Sequence, residues 1–269
     1  MLTDYHMHLE NGDFSRDWAF QFWETAQKRG VAEIGFSEHV YRFKEAVQIV
    51  DNSWARERCT EDLEEYVQLI LDLKAEGLPV KLGLEVDYFP GKEGIIEKIV
   101  KSYPFDYVLG SVHWLGDWGF DIPEFATEWN RRDLWQVYAQ YFALIEQAAT
   151  SGLFHSLSHP DVIKVFGHAP AESLTDLYRQ TLQAVVAVEG LCIEVSTAGL
   201  RKPVGRMYPE PELLRLANAQ GVPVTLASDA HYPEDVGKDY QQAVRLLQEA
   251  GYQSITRFSG GLGEQVTLG

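Results

Sequence analysis

Seven stretches of the chain group or alternate apolar residues over strand length: "LTDYHMH" from residue 2, "VAEIGFSEH" from 31, "VKLGLEVDYF" from 80, "DYVLGSVHW" from 106, "LFHSLSHPD" from 153, "LCIEVST" from 191 and "VPVTLASDAH" from 222. Between most of them apolar residues recur at helical spacing, which predicts helices over 14–28, 61–75, 132–150, 173–188, 210–219 and 238–250. Ser15, Thr60, Ser173 and Thr175 stand at or near the starts of these segments as N-caps, and a glycine such as Gly77 or Gly251 follows each as a stop. Strands alternating with helices imply parallel pairing with helical crossovers.

The polar residues choose between an open sheet and a closed one. His6, His8, Glu38, His39, Glu85, Asp87, His113, His159, Asp229 and His231 all fall at or just past the C-terminal ends of the expected strands. An open sheet would string them along an edge, whereas a barrel gathers them around one mouth. The expectation is therefore an α/β fold of the TIM-like barrel type. No Pro/Gly/Ser linker or repeat divides residues 1–269, so one domain is expected. Two long connections, 41–60 and 115–132, have the length of lids or binding loops. The second carries Trp118, Phe120, Phe125 and Trp129, suited either to packing on the organic part of a substrate or to fastening the loop to the barrel.

Composition narrows the partners. The chain has 269 residues and a formal charge of −17, which argues against nucleic acid and anionic membranes as partners and requires locally placed cations for any anion. Two cysteines, Cys59 and Cys192, are too few for a disulfide framework or a cysteine-rich zinc site. The opening "MLTDYHMHL" has no signal-peptide pattern, and no apolar run is long enough for a membrane span; a soluble, cytoplasmic protein is expected.

Of the eight histidines, all but His155 and His168 sit at expected strand ends. His-x-His on an extended strand points both imidazoles to one side, so His6 and His8 can grip one cation. Asp229 and His231 in "SDAH" repeat the spacing with a carboxylate, and Glu85 in "GLEVD" adds a third strand end. Imidazole mixed with carboxylate suits Zn, Mn, Fe or Co. Arg201, Lys202 and Arg206 in "STAGLRKPVGR" bring cations near the same mouth, and guanidinium forks match phosphate oxygens.

In this order and at these intervals, "DYHMH", "FSEH", "GLEVDY", "GSVHW", "SHPD" and "ASDAH" resemble the polymerase and histidinol phosphatase (PHP) superfamily. The flanking "GSVHWLGDWGFD", "SLSHPDVIKVFG" and "EVSTAGLRKPVGRMYPEPELL" resemble its histidinol-phosphatase branch. The resemblance implies a distorted (β/α)7 barrel holding two to three divalent ions. It places His6, His8, Glu85 and Asp229 on one ion, Glu85, His113 and His159 on a second, and His39 and His231 on a third. Where many members carry another histidine, "LENGDFS" offers Glu10 and Asp13, of which Asp13 is the candidate ligand; Glu38 is either a ligand or an orienting partner of His39. It further implies a metal-dependent phosphomonoesterase of histidine biosynthesis acting on a small phosphorylated substrate, L-histidinol phosphate. Asp229 or His231 would pass a proton to the leaving alkoxide. Arg201, then Arg206 and Lys202, would bind phosphate, and Trp118 would face the organic part. Glu10, Asp117 and Asp121 are candidate partners for a cationic end. Another small phosphate ester, a nucleotide or a phosphodiester, or a metal-binding module without turnover, remain open alternatives.

Overall fold

The computed structural model describes residues 1–50 and 52–268. Among these, seven strands form one parallel sheet: β1 (Leu2–Asp4), β2 (Val31–Phe36), β3 (Val80–Asp87), β4 (Tyr107–Ser111), β7 (Ser156–Leu157), β8 (Cys192–Ser196) and β9 (Val224–Ala227), hydrogen-bonded in that order. The seven correspond one for one to the apolar runs of the sequence. Past the ends of β9 and β1, Met7 pairs with Ala230, with His8 N donating to Ala230 O at 2.8 Å, so the sheet comes nearly full circle. The result is a distorted TIM-like barrel whose strand ends share one rim.

Helices α1 (Arg16–Lys28), α3 (Leu63–Ala75), α5 (Leu134–Thr150), α6 (Thr175–Val186), α7 (Pro211–Ala219) and α8 (Tyr240–Ala250) lie where periodicity places them, each one or two residues shorter at one or both ends; α2 (Ser53–Arg56) is a single turn in the 41–60 connection. Ser15 caps α1 by accepting from Trp18 N, whereas α3 is capped by Asp62 and not by Thr60. Glycine ends two of these helices for a conformational reason: Gly77 and Gly251 have φ of 91° and 99°, a region closed to most side chains. Helix α4 (Glu93–Ser102) escapes the sequence reading because it is ten residues long and Lys92, at its N-cap, makes no side-chain capping bond. It buries Ile96 and Ile99. No described helix is long and apolar enough to cross a membrane.

The lower end of the barrel is plugged by apolar side chains. Tyr5, Tyr107, Leu109, Cys192 and Phe258 form a fully buried cluster, Phe258 arriving from the hairpin β10 (Ser254–Ser259) and β11 (Leu262–Thr267), which turns at Gly260 and Gly261 as "SGGLG" suggests. Tyr107 fills the centre, its hydroxyl donating to Tyr5 O at 2.6 Å, and the absence of a side chain at Gly35 and Gly83 makes room for its ring. Two short strands, β5 (Trp114–Leu115) and β6 (Trp118–Gly119), form a small hairpin in the second long connection, above the rim.

A Cβ on Gly83 would collide with the Tyr107 ring. Gly83→Ala should therefore destabilise the fold by roughly 1–3 kcal/mol, read as a lower urea midpoint. The same substitution should cost less in a Tyr107→Leu background, where the ring is gone; equal costs in both backgrounds would refute the packing account.

Candidate metal centre

Each candidate ligand reaches the rim for a local reason. Beyond β1 the chain stays extended, so His6 and His8 point inward together while Tyr5 and Met7 face elsewhere in the core. Glu85 sits on β3, and His39, just past β2, pairs its backbone with it. His113 follows β4 and His159 follows β7. Asp229 and His231 follow β9 on a loop pinned by buried Asp4, which accepts from Ser228 N at 2.9 Å and Gly237 N at 3.0 Å. Two of these residues have left-handed backbone, His159 with φ 25° and Asp229 with φ 50°, a cost that surrounding contacts must hold in place.

Glu85 is the hub. Its Oε1 lies 3.4 Å from His6 Nε2, 3.2 Å from His159 Nε2 and 3.8 Å from His113 Nε2, and its Oε2 lies 2.6 Å from His39 Nδ1 and 3.8 Å from His8 Nε2. Asp229 Oδ1 is 3.7 Å from His6 Nε2, 3.4 Å from His8 Nε2 and 3.3 Å from His231 Nε2. Three overlapping groups have ligand atoms within 4.8 Å of one another: His6, His8 and Asp229; His6, Glu85 and His159; and His8, His39 and His231. The ring of His8 stacks on that of His39, at 3.9 Å, and on that of His231, at 4.6 Å, so the three imidazoles present their nitrogens side by side.

The donor set fits divalent ions. His6 Nε2 and His8 Nε2 are buried without a hydrogen-bond partner, and His39 Nδ1 and Glu85 Oε2 approach closely but out of hydrogen-bonding alignment. Such orphaned polar atoms are costly to bury unless something bonds them. Protons balance part of the charge in the cluster. Burial would push the imidazoles down, but Glu194, Glu85 and Asp229 hold His6 well above its ordinary value. Asp87 and Asp121 similarly lift His113 to about 10 against its burial, and Asp229 and Glu10 lift His231 to about 9. Glu85 and Asp229 are pulled well below the carboxylate range by the same imidazoles, although burial opposes it. Divalent ions can replace those protons.

Other groups meet the candidate ligands from behind. His113 Nδ1 pairs with Asp87 at 2.8 Å, and His6 Nδ1 with Glu194 at 2.8 Å. Glu38 accepts from the backbone N–H of Leu9 and of His39 and faces His8 Nδ1 at 3.4 Å, an orienting position. The rim opens into a cavity of about 270 Å³ walled by Tyr41, Trp54, Trp114, Ile122 and Tyr208, with Glu10, Asp121 and Glu124 as acids and Lys202 as the cation.

Several expected residues stand elsewhere. Asp13 is exposed in the turn before α1 and joins no ligand group; Glu10 reaches the cluster instead, its Oε1 2.6 Å from His231 Nδ1, because the chain turns outward at Asn11–Gly12. Arg201 does not line the cavity. Its Nη2 donates to Ser228 O at 2.6 Å and Asp229 O at 3.2 Å, and its Nε faces Asp235, so it braces the Asp229 loop. Arg206 turns outward to Glu210 and is half exposed. Lys202, ranked last in the sequence, is the cation that lines the cavity. Trp118 packs edge-on against Trp129 with Arg132 stacked over it, so it fastens the loop, while Trp54 and Trp114 form the aromatic wall. Asp117 is exposed. His155 and His168 lie outside the cluster: His155 accepts from Val108 N and His168 stacks on Trp129. Glu194 was not singled out in the sequence, although an acid alternating with Cys192 and Ser196 on a buried strand signals an inward carboxylate.

Residues 4–198 match the family model described as PHP domain. A relative from Deinococcus radiodurans named "Probable histidinol-phosphatase" is 38% identical over 95% of this chain and 96% of its own length. A "Histidinol-phosphatase" from Bacillus subtilis is 30% identical over 84% of this chain and 92% of its own. Among solved structures, the histidinol phosphate phosphatase of Lactococcus lactis subsp. lactis, crystallised with zinc, L-histidinol and phosphate, superposes with a TM-score of 0.72 at 22% identity, covering 98% of each chain.

Because bound ions would displace protons from raised imidazoles, titrating metal-free protein with Zn or Mn at pH 7 should release protons into a weak buffer. Apparent metal affinity should rise with pH towards 9–10, the range set by His231 and His113. Glu85→Gln should lose metal and activity together; elemental analysis showing full occupancy would overturn the hub assignment.

Proposed function

The chain belongs to the PHP domain family, and from that premise we propose that it hydrolyses L-histidinol phosphate to L-histidinol and inorganic phosphate with divalent ions held at the barrel rim. What carries the reading is one juxtaposition: three overlapping groups of potential metal ligands border a single cavity lined by Lys202, by three acids besides Asp229, and by an aromatic wall. Near-full-length likeness to histidinol-phosphatases selects the ester.

The proposed ligands are His6, His8, Glu85 and Asp229 for one ion, Glu85, His113 and His159 for a second, and His39 and His231, with His8 in reach, for a third. Bound divalent ions supply a lowered pKa for water and neutralise charge on the phosphoryl oxygens. The chain's own residues do the rest. Lys202 meets the phosphate dianion from the cavity wall. Arg201 holds the carbonyls of Ser228 and Asp229, keeping Asp229 and His231 at their stations. As the ester P–O bond breaks and a bond from water oxygen to phosphorus forms, one proton of the attacking water ends on the leaving alkoxide, while Glu10 holds Nδ1 of His231 and so keeps its Nε2 free for the third ion. The imidazole of the substrate lies against Trp54 and Trp114, and its ammonium faces Asp121 and Glu124.

Phosphate release from metal-reconstituted protein tests the proposal, with histidinol phosphate beside p-nitrophenyl phosphate, nucleoside monophosphates and single-stranded DNA. A strong preference in kcat/KM for histidinol phosphate is expected. Equal slow turnover of all would favour a promiscuous phosphoesterase, and no turnover at full occupancy a metal-binding module. Lys202→Ala should raise KM by roughly tenfold or more, the loss of one charged hydrogen bond, with metal content unchanged.

A further inference from the structure

Glu194, at the centre of β8, is completely buried, and among the described ion pairs its sole partner is His6. No lysine or arginine offsets its charge there. A carboxylate in that position carries a large desolvation cost, so the contacts that hold it are informative. They run to two candidate ligands that follow different strands, His6 after β1 and His159 after β7. Glu194 Oε1 and Oε2 lie 2.8 and 3.1 Å from His6 Nδ1, and Oε2 accepts the backbone N–H of His159 at 2.9 Å.

From this geometry we infer that Glu194 is the positioning residue that sets both the ligating nitrogen of His6 and the backbone of His159, and so holds two ion sites in register. Nδ1 must carry a proton to meet a carboxylate, since a bare lone pair there would face negative charge. The lone pair of neutral His6 is then confined to Nε2, the atom directed at Glu85 and Asp229. At His159 the same carboxylate acts on the main chain. The residue has φ 25°, and the N–H bonded to Glu194 belongs to that strained unit. Its imidazole reaches Glu85 Oε1 at 3.2 Å from this conformation. One side chain thereby links β1 to the loop after β7 from the strand between β7 and β9.

Glutamine at 194 keeps the volume but replaces one acceptor oxygen with a donor, and because Oε1 and Oε2 both lie within 3.1 Å of His6 Nδ1, either orientation of the amide turns its NH2 on the Nδ1–H and opposes that tautomer. This inference rests on the reading that the cluster holds divalent ions. Glu194→Gln should weaken zinc affinity, measured by competition with a chromogenic chelator, by roughly 10–100-fold. Activity should follow occupancy, with KM for histidinol phosphate unchanged once metal is saturating. In zinc-loaded wild-type protein, long-range ¹H–¹⁵N correlation should show His6 protonated at Nδ1 and bare at Nε2, a readout that does not depend on the variant folding. The opposite tautomer would overturn the inference. So would a folded Glu194→Gln that binds zinc as tightly as wild type, with the metal reading left standing. Wild-type protein that takes up no zinc would overturn both.

Discussion

The structure turns on Glu85, a fully buried carboxylate with the ring nitrogens of His6, His8, His39, His113 and His159 all within 3.8 Å. Five imidazoles cannot converge on one acid in a dry rim unless charge is supplied to balance them, by protons or by metal ions. Protons satisfy the cluster only in part, since His6 Nε2 and His8 Nε2 still lack partners. The closed barrel forces the convergence by bringing the ends of β1, β2, β3, β4, β7 and β9 to one circle. Neighbouring strands alone could not place His6 and His159 on the same carboxylate, because β2, β3 and β4 lie between β1 and β7 in the sheet.

That concentration of polar groups is tolerated because the rest of the barrel is apolar. Tyr5, Tyr107, Leu109, Cys192 and Phe258 close the lower half, so solvent reaches the ligands from the rim side. The β10–β11 hairpin contributes through Phe258, whose ring lies 5.4 Å from that of Tyr107. A terminal hairpin far from the cavity thus bears on the electrostatics of the site, since water entering from below would solvate Glu85 and Glu194 and weaken their hold on the imidazoles.

The seven strands and the gathering of histidines were legible because both depend on local pattern: period-two apolar runs, and polar residues repeated at their ends. What was not legible depends on where a chain turns. Glu10 and Asp13 are chemically alike and three residues apart, and only the outward turn at Asn11–Gly12 decides that Glu10 meets His231. Arg201 and Lys202 are adjacent, yet a short helical turn over 198–201 sends Arg201 to the carbonyls of Ser228 and Asp229 and leaves Lys202 on the cavity wall. Trp118 and Trp114 stand on the two strands of one hairpin, opposite Leu115 and Gly119, with the first packed on Trp129 and the second on the cavity, a distinction no spacing reveals. Helix α4 carries its apolar positions but lacks a capping residue to announce them.

Charge placement connects the fold to the proposed substrate. The chain is strongly acidic, and of the three cations near the rim, Arg201 and Arg206 are engaged by protein groups, leaving Lys202 on the cavity wall. A single lysine beside Glu10, Asp121 and Glu124 makes a poor site for a free phosphate dianion, and a phosphate-rich ligand such as a nucleotide would meet more acid than base beyond the first phosphoryl group. Bound ions reverse the balance only where they sit, at the end of the cavity lined by His39, His113, His159 and His231. On the proposed reading the cavity is bipolar, with metal charge for the phosphoryl group and carboxylates for the ammonium and imidazole beyond it. The acidity that would repel most phosphate esters therefore becomes the source of preference for one that carries positive charge of its own.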